Sequence, residues 1–267
     1  MFNKLSLLSI PFDDNSSLEK GPAKAPALIK QVLAQGSLNK GTELGIELGD
    51  NPRWCDGGEV TFSSLHHFND EIVSACNALL ENNSLVLSLG GDHSVSYPLI
   101  KSYAEHFEPL NILHIDAHSD LYDSFKGNRF SNACPFARVM EEGLAKRLVQ
   151  IGIRTLNAHQ VSQIHRFGVE CHEMRDWPLD KPLYFDGPVY ISLDVDGIDP
   201  AFAPGVSHRE PGGLSTREVI NLIHRIDAPV VGADIVEFNP NKDIDHLTSQ
   251  LCAKLVKELA GKILSDV

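Results

Sequence analysis

Short runs of Val, Ile and Leu recur along the chain, and they constrain its fold more than any other feature of the sequence. Several are almost continuously apolar, which is typical of strands that are covered on both faces. Segments with helical periodicity separate them, and this alternation indicates βαβ units around a mainly parallel sheet. The sequence therefore predicts an α/β fold, with strands at residues 5–10, 84–89, 110–115, 148–153, 189–193 and 230–236.

Two of the intervening segments place apolar residues at helical spacing, which predicts amphipathic helices with one face in the core. They are residues 68–80 and the C-terminal segment 251–263. Residues 36–58, rich in Gly, Asn and Asp, are predicted to form a surface excursion. We find no repeat and no linker long enough to divide the chain, so residues 1–267 are predicted to form a single catalytic domain.

Composition and charge exclude several classes of protein. The formal net charge of -13 opposes binding to nucleic acid or to an anionic membrane and favours a cationic small molecule. No run approaches the roughly 18 apolar residues of a membrane span, and the first residues carry no cleavage site. The five cysteines show no C-x-x-C pairing, so we expect free thiols and a cytoplasmic location.

Polar residues follow three of the predicted strands. The segments are GGDHS at residues 90–94, DAHSD at 116–120 and DVDGIDP at 194–200. Ligand sites of open parallel sheets form outside the carboxyl ends of the strands, so these segments are expected to converge there. The candidate ligands are His93, Asp116, His118, Asp120, Asp194 and Asp196.

These six side chains predict a site for two divalent cations. Alternation along extended backbone would put Asp116, His118 and Asp120 on one side, and Asp194 and Asp196 likewise. Four carboxylates a few ångströms apart cannot all ionise unaided. Oxygen and imidazole ligands without thiolate favour Mn²⁺ over structural Zn²⁺. Two ions about 3.5 to 4 Å apart would share a water and supply hydroxide near neutral pH. A single D-x-D after a strand is more often a turn, and a lone G-G-D-H is a weak signal. Three polar motifs that each follow a predicted strand favour the metal site.

The segments GGDHS, DAHSD and SLDVDGIDPAFAPG resemble the metal-binding signatures of the ureohydrolase family, which includes arginases and agmatinases. The resemblance extends from Gly21 and Pro22, through residues 152–154, to EPGGLS and DIVEFNP. It implies a three-layer αβα sandwich with a central, mainly parallel sheet of about eight strands. It also implies two Mn²⁺ ions per subunit and a homo-oligomer, either a trimer or a hexamer.

The resemblance also implies roles for individual residues. His93, Asp116, Asp120 and Asp194 would bind one ion, and Asp116, His118, Asp194 and Asp196 the other. Glu237 matches the family's guanidinium-binding glutamate, which would orient a planar cation by paired hydrogen bonds. Attack by the bridging hydroxide on the guanidinium carbon would give a tetrahedral intermediate, then urea and an amine. Asp120 would pass the proton of the nucleophile onward.

One position departs from the family pattern. Relatives usually carry a proton-shuttling histidine in a segment of the form H-[GA]-x-P-F, where this chain has Asn132. Asparagine cannot ionise and therefore cannot act as an acid or base. A natural variant with altered chemistry, a degenerate enzyme and an engineered substrate trap are three explanations, and the intact ligand set favours the last.

The expected substrate is a small guanidino compound. Arginases carry aspartates after the G-[LI]-R strand, whereas this chain has Thr155 and Asn157. This difference disfavours arginine and predicts a protein closer to agmatinase. Lys126 and Arg129 would receive the carboxylate of a guanidino acid, or else they are solvated loop charges. Residues 208–210 (His, Arg, Glu) are expected at the outer pocket without an assigned role.

Other functions are compatible with parts of the pattern. A formimidoylglutamase-like hydrolase would use the same metals and release formamide instead of urea. A zinc deacetylase would bind a single ion, and the six-ligand set argues against it. A non-catalytic binder of a guanidino ligand is the interpretation that Asn132 supports.

Overall fold

A computed structural model of the protein describes residues 2–35, 39–179 and 183–266. In these ranges one sheet of eight strands has the order β2-β1-β3-β8-β7-β4-β5-β6, and every neighbouring pair is parallel. The predicted α/β class and strand number are therefore confirmed. The strands are β1 (Lys4–Ser9), β2 (Trp54–Glu59), β3 (Ser84–Leu89), β4 (Asn111–Ile115), β5 (Arg147–Ile153), β6 (Glu170–Glu173), β7 (Val189–Asp194) and β8 (Val230–Val236).

Helices flank the sheet in two groups, which completes the predicted sandwich. Helices α1 and α6 pack against α7, whereas α2, α3, α4 and α5 pack in succession along the chain. The two predicted helices are confirmed, although α7 is buried over most of its circumference rather than on one face. The helices are α1 (Ala25–Ala34), α2 (Phe68–Glu81), α3 (Ser96–His106), α4 (Pro135–Glu141), α5 (Ala158–Phe167), α6 (Thr216–His224) and α7 (Leu247–Ser265).

The two edge strands of the sheet, β2 and β6, were not predicted from the sequence. Strands β2 and β6 have the sequences WCDGGE and ECHE, and neither carries an apolar run. An edge strand is stabilised by pairing with one neighbour and need not be apolar on both faces. The predicted surface excursion is therefore wrong for residues 54–58, which belong to β2, and its residues 36–38 lie outside the described ranges.

The strand order decides where the functional motifs meet. Strands β3, β8, β7 and β4 are neighbours in the sheet although they are far apart in the chain. Because all four run in the same direction, the loops that follow them lie side by side at one edge. None of the helices in the described ranges is long and apolar enough to cross a membrane. The five cysteines, all of them described, are unpaired.

A buried tyrosine holds α3 against the sheet. The Tyr103 hydroxyl accepts a hydrogen bond from the N–H of Val86 (2.8 Å) and donates one to its carbonyl (3.0 Å). Strand β8 pairs with β3 only from Leu87 onward. Gly232 leaves room for the ring, since a Cβ there would lie 2.3 Å from the tyrosine oxygen. Tyr103 thus completes the hydrogen bonding of β3 where the strand ladder is missing.

Tyr103→Phe is expected to lower the free energy of unfolding by about 1 to 3 kcal/mol, because both backbone groups of Val86 lose their partner in the core. Urea unfolding followed by circular dichroism measures the loss. Tyr97→Phe on the same helix is the matched control, since its hydroxyl bonds Glu142, whose side chain is 40% exposed and reaches water. Equal losses in the two variants would contradict this role of Tyr103.

Candidate metal centre and pocket

The six predicted metal ligands come together at the carboxyl edge of the sheet. His93 Nδ1 lies 3.2 Å from an oxygen of Asp116, 3.0 Å from Asp120 and 3.2 Å from Asp194. His118 Nδ1 lies 3.4 Å from the other oxygen of Asp116 and 3.2 Å from Asp196. Two donor sets therefore adjoin, and Asp116 belongs to both.

Turns, and not strand alternation, bring these carboxylates together. Asp116 Oδ1 accepts the N–H of His118 at 2.6 Å, and Asp194 Oδ1 accepts the N–H of Asp196 at 2.7 Å. Asp120 has a positive φ of 49°. The predicted alternation is wrong because the strands end at Ile115 and Asp194, before the motifs are complete. The same aspartates form Asx turns and face the site.

Two glycines allow neighbouring loops to approach Asp116. A Cβ at Gly152, whose φ is 98°, would lie 2.7 Å from the carbonyl oxygen of Asp116. A Cβ at Gly197 would lie 2.8 Å from the backbone nitrogen of Asp116. A Cβ atom essentially never lies this close to another heavy atom. A side chain at either glycine would therefore displace the backbone of Asp116 and, with it, the central carboxylate.

The chemistry of the cluster fits divalent cations. His93 Nδ1 is buried and has no hydrogen-bond partner among the described residues, yet it faces three carboxylates. Burial, with Asp196 and Asp116 nearby, raises the pKa of Asp194 well above its usual range. Burial and the charge of Asp116 raise the pKa of Asp120 to about 6. A cluster of buried carboxylates is stabilised by compensating positive charge, and oxygen with imidazole ligands suits divalent cations.

His114 orients Asp116 and was missed by the sequence analysis. The side-chain amide of Gln150 donates to His114 Nδ1 at 3.0 Å and to the carbonyl of Ser119 at 2.6 Å. The other ring nitrogen, Nε2, then carries the proton and donates to Asp116 at 2.8 Å. Burial lowers the pKa of His114 to about 4, so the ring is neutral. His114 also lies within ligand distance of His93 and Asp116. We interpret it as the residue that orients Asp116 and not as a metal ligand. The sequence feature that could have identified this residue is a histidine inside the largely apolar strand NILHI, residues 111–115.

Glu237 and Asn132 form a buried pair in the same pocket. Glu237 Oε1 accepts hydrogen bonds from the Asn132 amide and from the N–H of His93, both at 2.9 Å. The Asn132 carbonyl oxygen in turn accepts the N–H of Ser17 at 2.9 Å, which fixes the orientation of the amide. Burial and the nearby Asp92 raise the pKa of Glu237 to about 8.

A pocket of about 400 Å³ opens above the cluster. Among the described residues its lining contains five carboxylates and two histidines but no lysine or arginine. The lining is therefore suited to a cation. It comprises Ser17, His118, Asp120, Tyr122, Phe125, Asn132, Ala133, Thr155, Leu156, Asn157, Gln160, Asp194, Asp196, His208, Glu210 and Glu237.

Thr155 and Asn157, which the family resemblance aligns with the substrate-binding positions of arginases, line the outer pocket. The Thr155 hydroxyl lies 3.5 Å from a carboxylate oxygen of Glu210, and the Asn157 amide donates to the Tyr122 hydroxyl at 2.5 Å. Asn157 also caps α5. His208 and Glu210 belong to the same wall.

The basic side chains proposed for a substrate carboxylate lie elsewhere. Arg129 pairs with Glu141 at 2.8 Å and does not line the described pocket, so its binding role stays a prediction that this arrangement does not support. Lys126 donates to the backbone carbonyl of Ser17 at 3.3 Å. Arg209 donates to the carbonyls of Pro204 and Lys242 and holds its loop in place.

Comparison with known proteins places this geometry in context. The pattern of the arginase family matches residues 3–261. "Arginase 1, mitochondrial" from Arabidopsis thaliana is 47% identical over 97% of this chain and 80% of its own length. The structure of arginase from Medicago truncatula has a TM-score of 0.92 at 39% identity, covering 97% of this chain and 87% of its own.

More distant relatives include the "N(1)-aminopropylagmatine ureohydrolase" of Thermus thermophilus. It is 34% identical over 89% of this chain and 83% of its own length. The prediction that the chain stands closer to agmatinase-like hydrolases is therefore not supported.

Proposed function

The chain belongs to the arginase family, and on that premise we propose that it hydrolyses a C–N bond of a guanidino compound to give urea and an amine. The observation that supports this proposal is the acidic pocket. Two adjoining sets of candidate metal ligands lie at its floor, and Glu237 lies in its wall. When bound, two Mn²⁺ ions would supply hydroxide near neutral pH. The six predicted ligands would hold the two ions, with Asp116 and Asp194 shared between them.

Glu237 is proposed to orient the guanidinium group. Oε1 is occupied by two N–H donors of the protein, which fixes the plane of the carboxylate. The Oε2 atom then accepts from the substrate within a buried site. A guanidinium bound there would also favour the ionised form of Glu237, whose pKa burial raises to about 8.

Glu237→Gln is expected to lower kcat/KM by about 10- to 150-fold, because a hydrogen bond to a charged group contributes about 1.5 to 3 kcal/mol. Steady-state urea production with the Mn²⁺-loaded protein measures the change. Glu105→Gln, the same replacement at an exposed glutamate, is the control and should leave kcat/KM unaltered. Wild-type kcat/KM in Glu237→Gln would remove this residue from substrate binding.

We propose L-arginine as the principal substrate, which reverses the expectation from Thr155 and Asn157. The identity to an arginase supports it, and so does the outer pocket. Glu210 would pair with the α-ammonium group, and Asn157 and the Tyr122 hydroxyl would donate to the carboxylate. Agmatine is the second candidate substrate, because a cationic compound without a carboxylate also suits the acidic lining of the pocket.

A substrate panel tests this proposal. Urea would be measured with L-arginine, agmatine, an aminopropylagmatine and 4-guanidinobutyrate, and formamide with formimidoylglutamate. Urea from arginine at the highest kcat/KM would support the proposal, and preference for agmatine would identify the second candidate. Formamide release would favour the formimidoylglutamase-like hydrolase. Ligand binding without any product would favour the non-catalytic binder.

Two expectations from the sequence stay predictions. A trimer or hexamer is expected from the family resemblance. The cytoplasmic location is expected from the sequence alone, whereas the Arabidopsis relative is named as a mitochondrial protein.

A further inference from the structure

A buried chain of hydrogen bonds runs from His93 away from the pocket. His93 Nε2 lies 3.0 Å from the Ser192 hydroxyl oxygen, and that hydroxyl lies 2.8 Å from Asp234 Oδ1. The Tyr190 hydroxyl donates to Asp234 Oδ2 at 2.9 Å. His93, Ser192, Tyr190 and Asp234 all have zero exposure to solvent. Three of these groups, on the neighbouring strands β7 and β8, had no assigned role.

The direction of these hydrogen bonds follows from the donors available. A serine hydroxyl has one proton, and both oxygens of Asp234 accept hydroxyl protons, one from Ser192 and one from Tyr190. The Ser192 proton is therefore given to Asp234, and the Ser192 oxygen must accept the proton of His93 Nε2. A neutral imidazole with its proton on Nε2 has its lone pair on Nδ1. Nδ1 is the atom that faces Asp116, Asp120 and Asp194.

We propose that Asp234, acting through Ser192, is a positioning residue that keeps His93 in the tautomer able to bind a cation at Nδ1. The inference rests on the metal centre of the proposed function and assigns that centre a second layer of support. Metal-binding histidines generally donate their other N–H to a group that fixes the ring and its tautomer. In this chain the group is a serine, and the carboxylate behind it determines which way the serine donates.

The location of Asp234 supports a role beyond packing. A fully buried carboxylate costs several kcal/mol unless it is compensated. Among the described residues no lysine, arginine or histidine forms an ion pair with Asp234; hydroxyl groups reach both of its oxygens. A neutral side chain of the same size would fill this volume at lower cost. A side chain that accepts at both oxygens is explained if it sets the polarity of the hydrogen bonds that lead to His93.

Asp234→Asn tests the polarity because it changes one atom and little volume. The Asn carbonyl would still accept from Tyr190, while its amide would donate to the Ser192 oxygen. The serine proton would then point to His93 Nε2 and leave the imidazole proton on Nδ1. We expect Mn²⁺ affinity, measured by isothermal titration calorimetry on the full chain, to fall by about 10- to 100-fold.

Three further variants separate polarity from packing. Tyr190→Phe removes the other donor of the same carboxylate without reversing Ser192, and should bind Mn²⁺ like the wild type. Ser192→Ala removes the acceptor of the His93 proton and should weaken binding, whereas Ser192→Thr restores the hydroxyl and the affinity. If Asp234→Asn does not fold, the Mn²⁺ affinities of Ser192→Ala and Ser192→Thr test the inference instead.

Wild-type Mn²⁺ affinity in folded Asp234→Asn would overturn the inference, as would equal losses in Asp234→Asn and Tyr190→Phe. The proposed function is tested separately, since it fails if the Mn²⁺-loaded wild type releases no urea. In that case the inference about Asp234 still stands or falls on metal affinity alone.

Discussion

Asp194→Asn is expected to reduce urea formation by at least about 10³-fold, because loss of this carboxylate would weaken the binding of the metal ions that would lower the pKa of a bound water from about 15.7 to about 7. Asp194 Oδ2 lies 3.2 Å from His93 Nδ1, and Oδ1 holds the turn that carries Asp196. The amide keeps the shape of the side chain but removes the charge of a carboxylate that faces His93.

Metal analysis of the same variant checks the cause. The wild type is expected to bind two Mn²⁺ ions per chain and Asp194→Asn fewer, measured by elemental analysis after dialysis. Asp186→Asn is the control, since its carboxylate is about half exposed and pairs with Lys146 at the surface. Two bound ions together with wild-type turnover in Asp194→Asn would exclude this carboxylate from the centre.

Asn132→His is expected to raise kcat by about 10² to 10⁴-fold, the usual contribution of a positioned acid or base. Asn132 lines the pocket and donates to Glu237 at 2.9 Å, so a histidine there would place an ionisable ring beside the substrate. The pH profile of kcat should then gain an ionisation near the ordinary histidine pKa of roughly 6.5. Stopped-flow and steady-state urea assays across pH measure both effects.

Asn132→Gln controls for the change in shape, because glutamine is larger than asparagine but cannot ionise. It should give no gain and no new ionisation. An equal gain in Asn132→Gln would show that proton transfer is not the cause. Absence of a gain in Asn132→His would count against both the shuttle and the substrate-trap explanation of this position.

The central strands and the metal-binding motifs were predictable from sequence for a definite reason. A strand covered on both faces is apolar along most of its length, so β3, β4, β7 and β8 carry their own signal. Parallel direction alone then places the following loops at one edge of the sheet. The six candidate ligands and Glu237 were thereby placed at one edge of the sheet, and the strand order then brought them next to one another.

What only the tertiary structure decided concerns partners that lie far apart in the chain. Strands β2 and β6 owe their conformation to one neighbour, and Arg129 pairs with Glu141 instead of reaching the pocket. His93 and Ser192 are 99 positions apart, and Ser192 and Asp234 are 42 apart. A hydrogen bond has a direction only when both partners and their protons are in place. The sequence by itself determined which residues could bind a cation, and the folded arrangement decided which atom of each residue faces it.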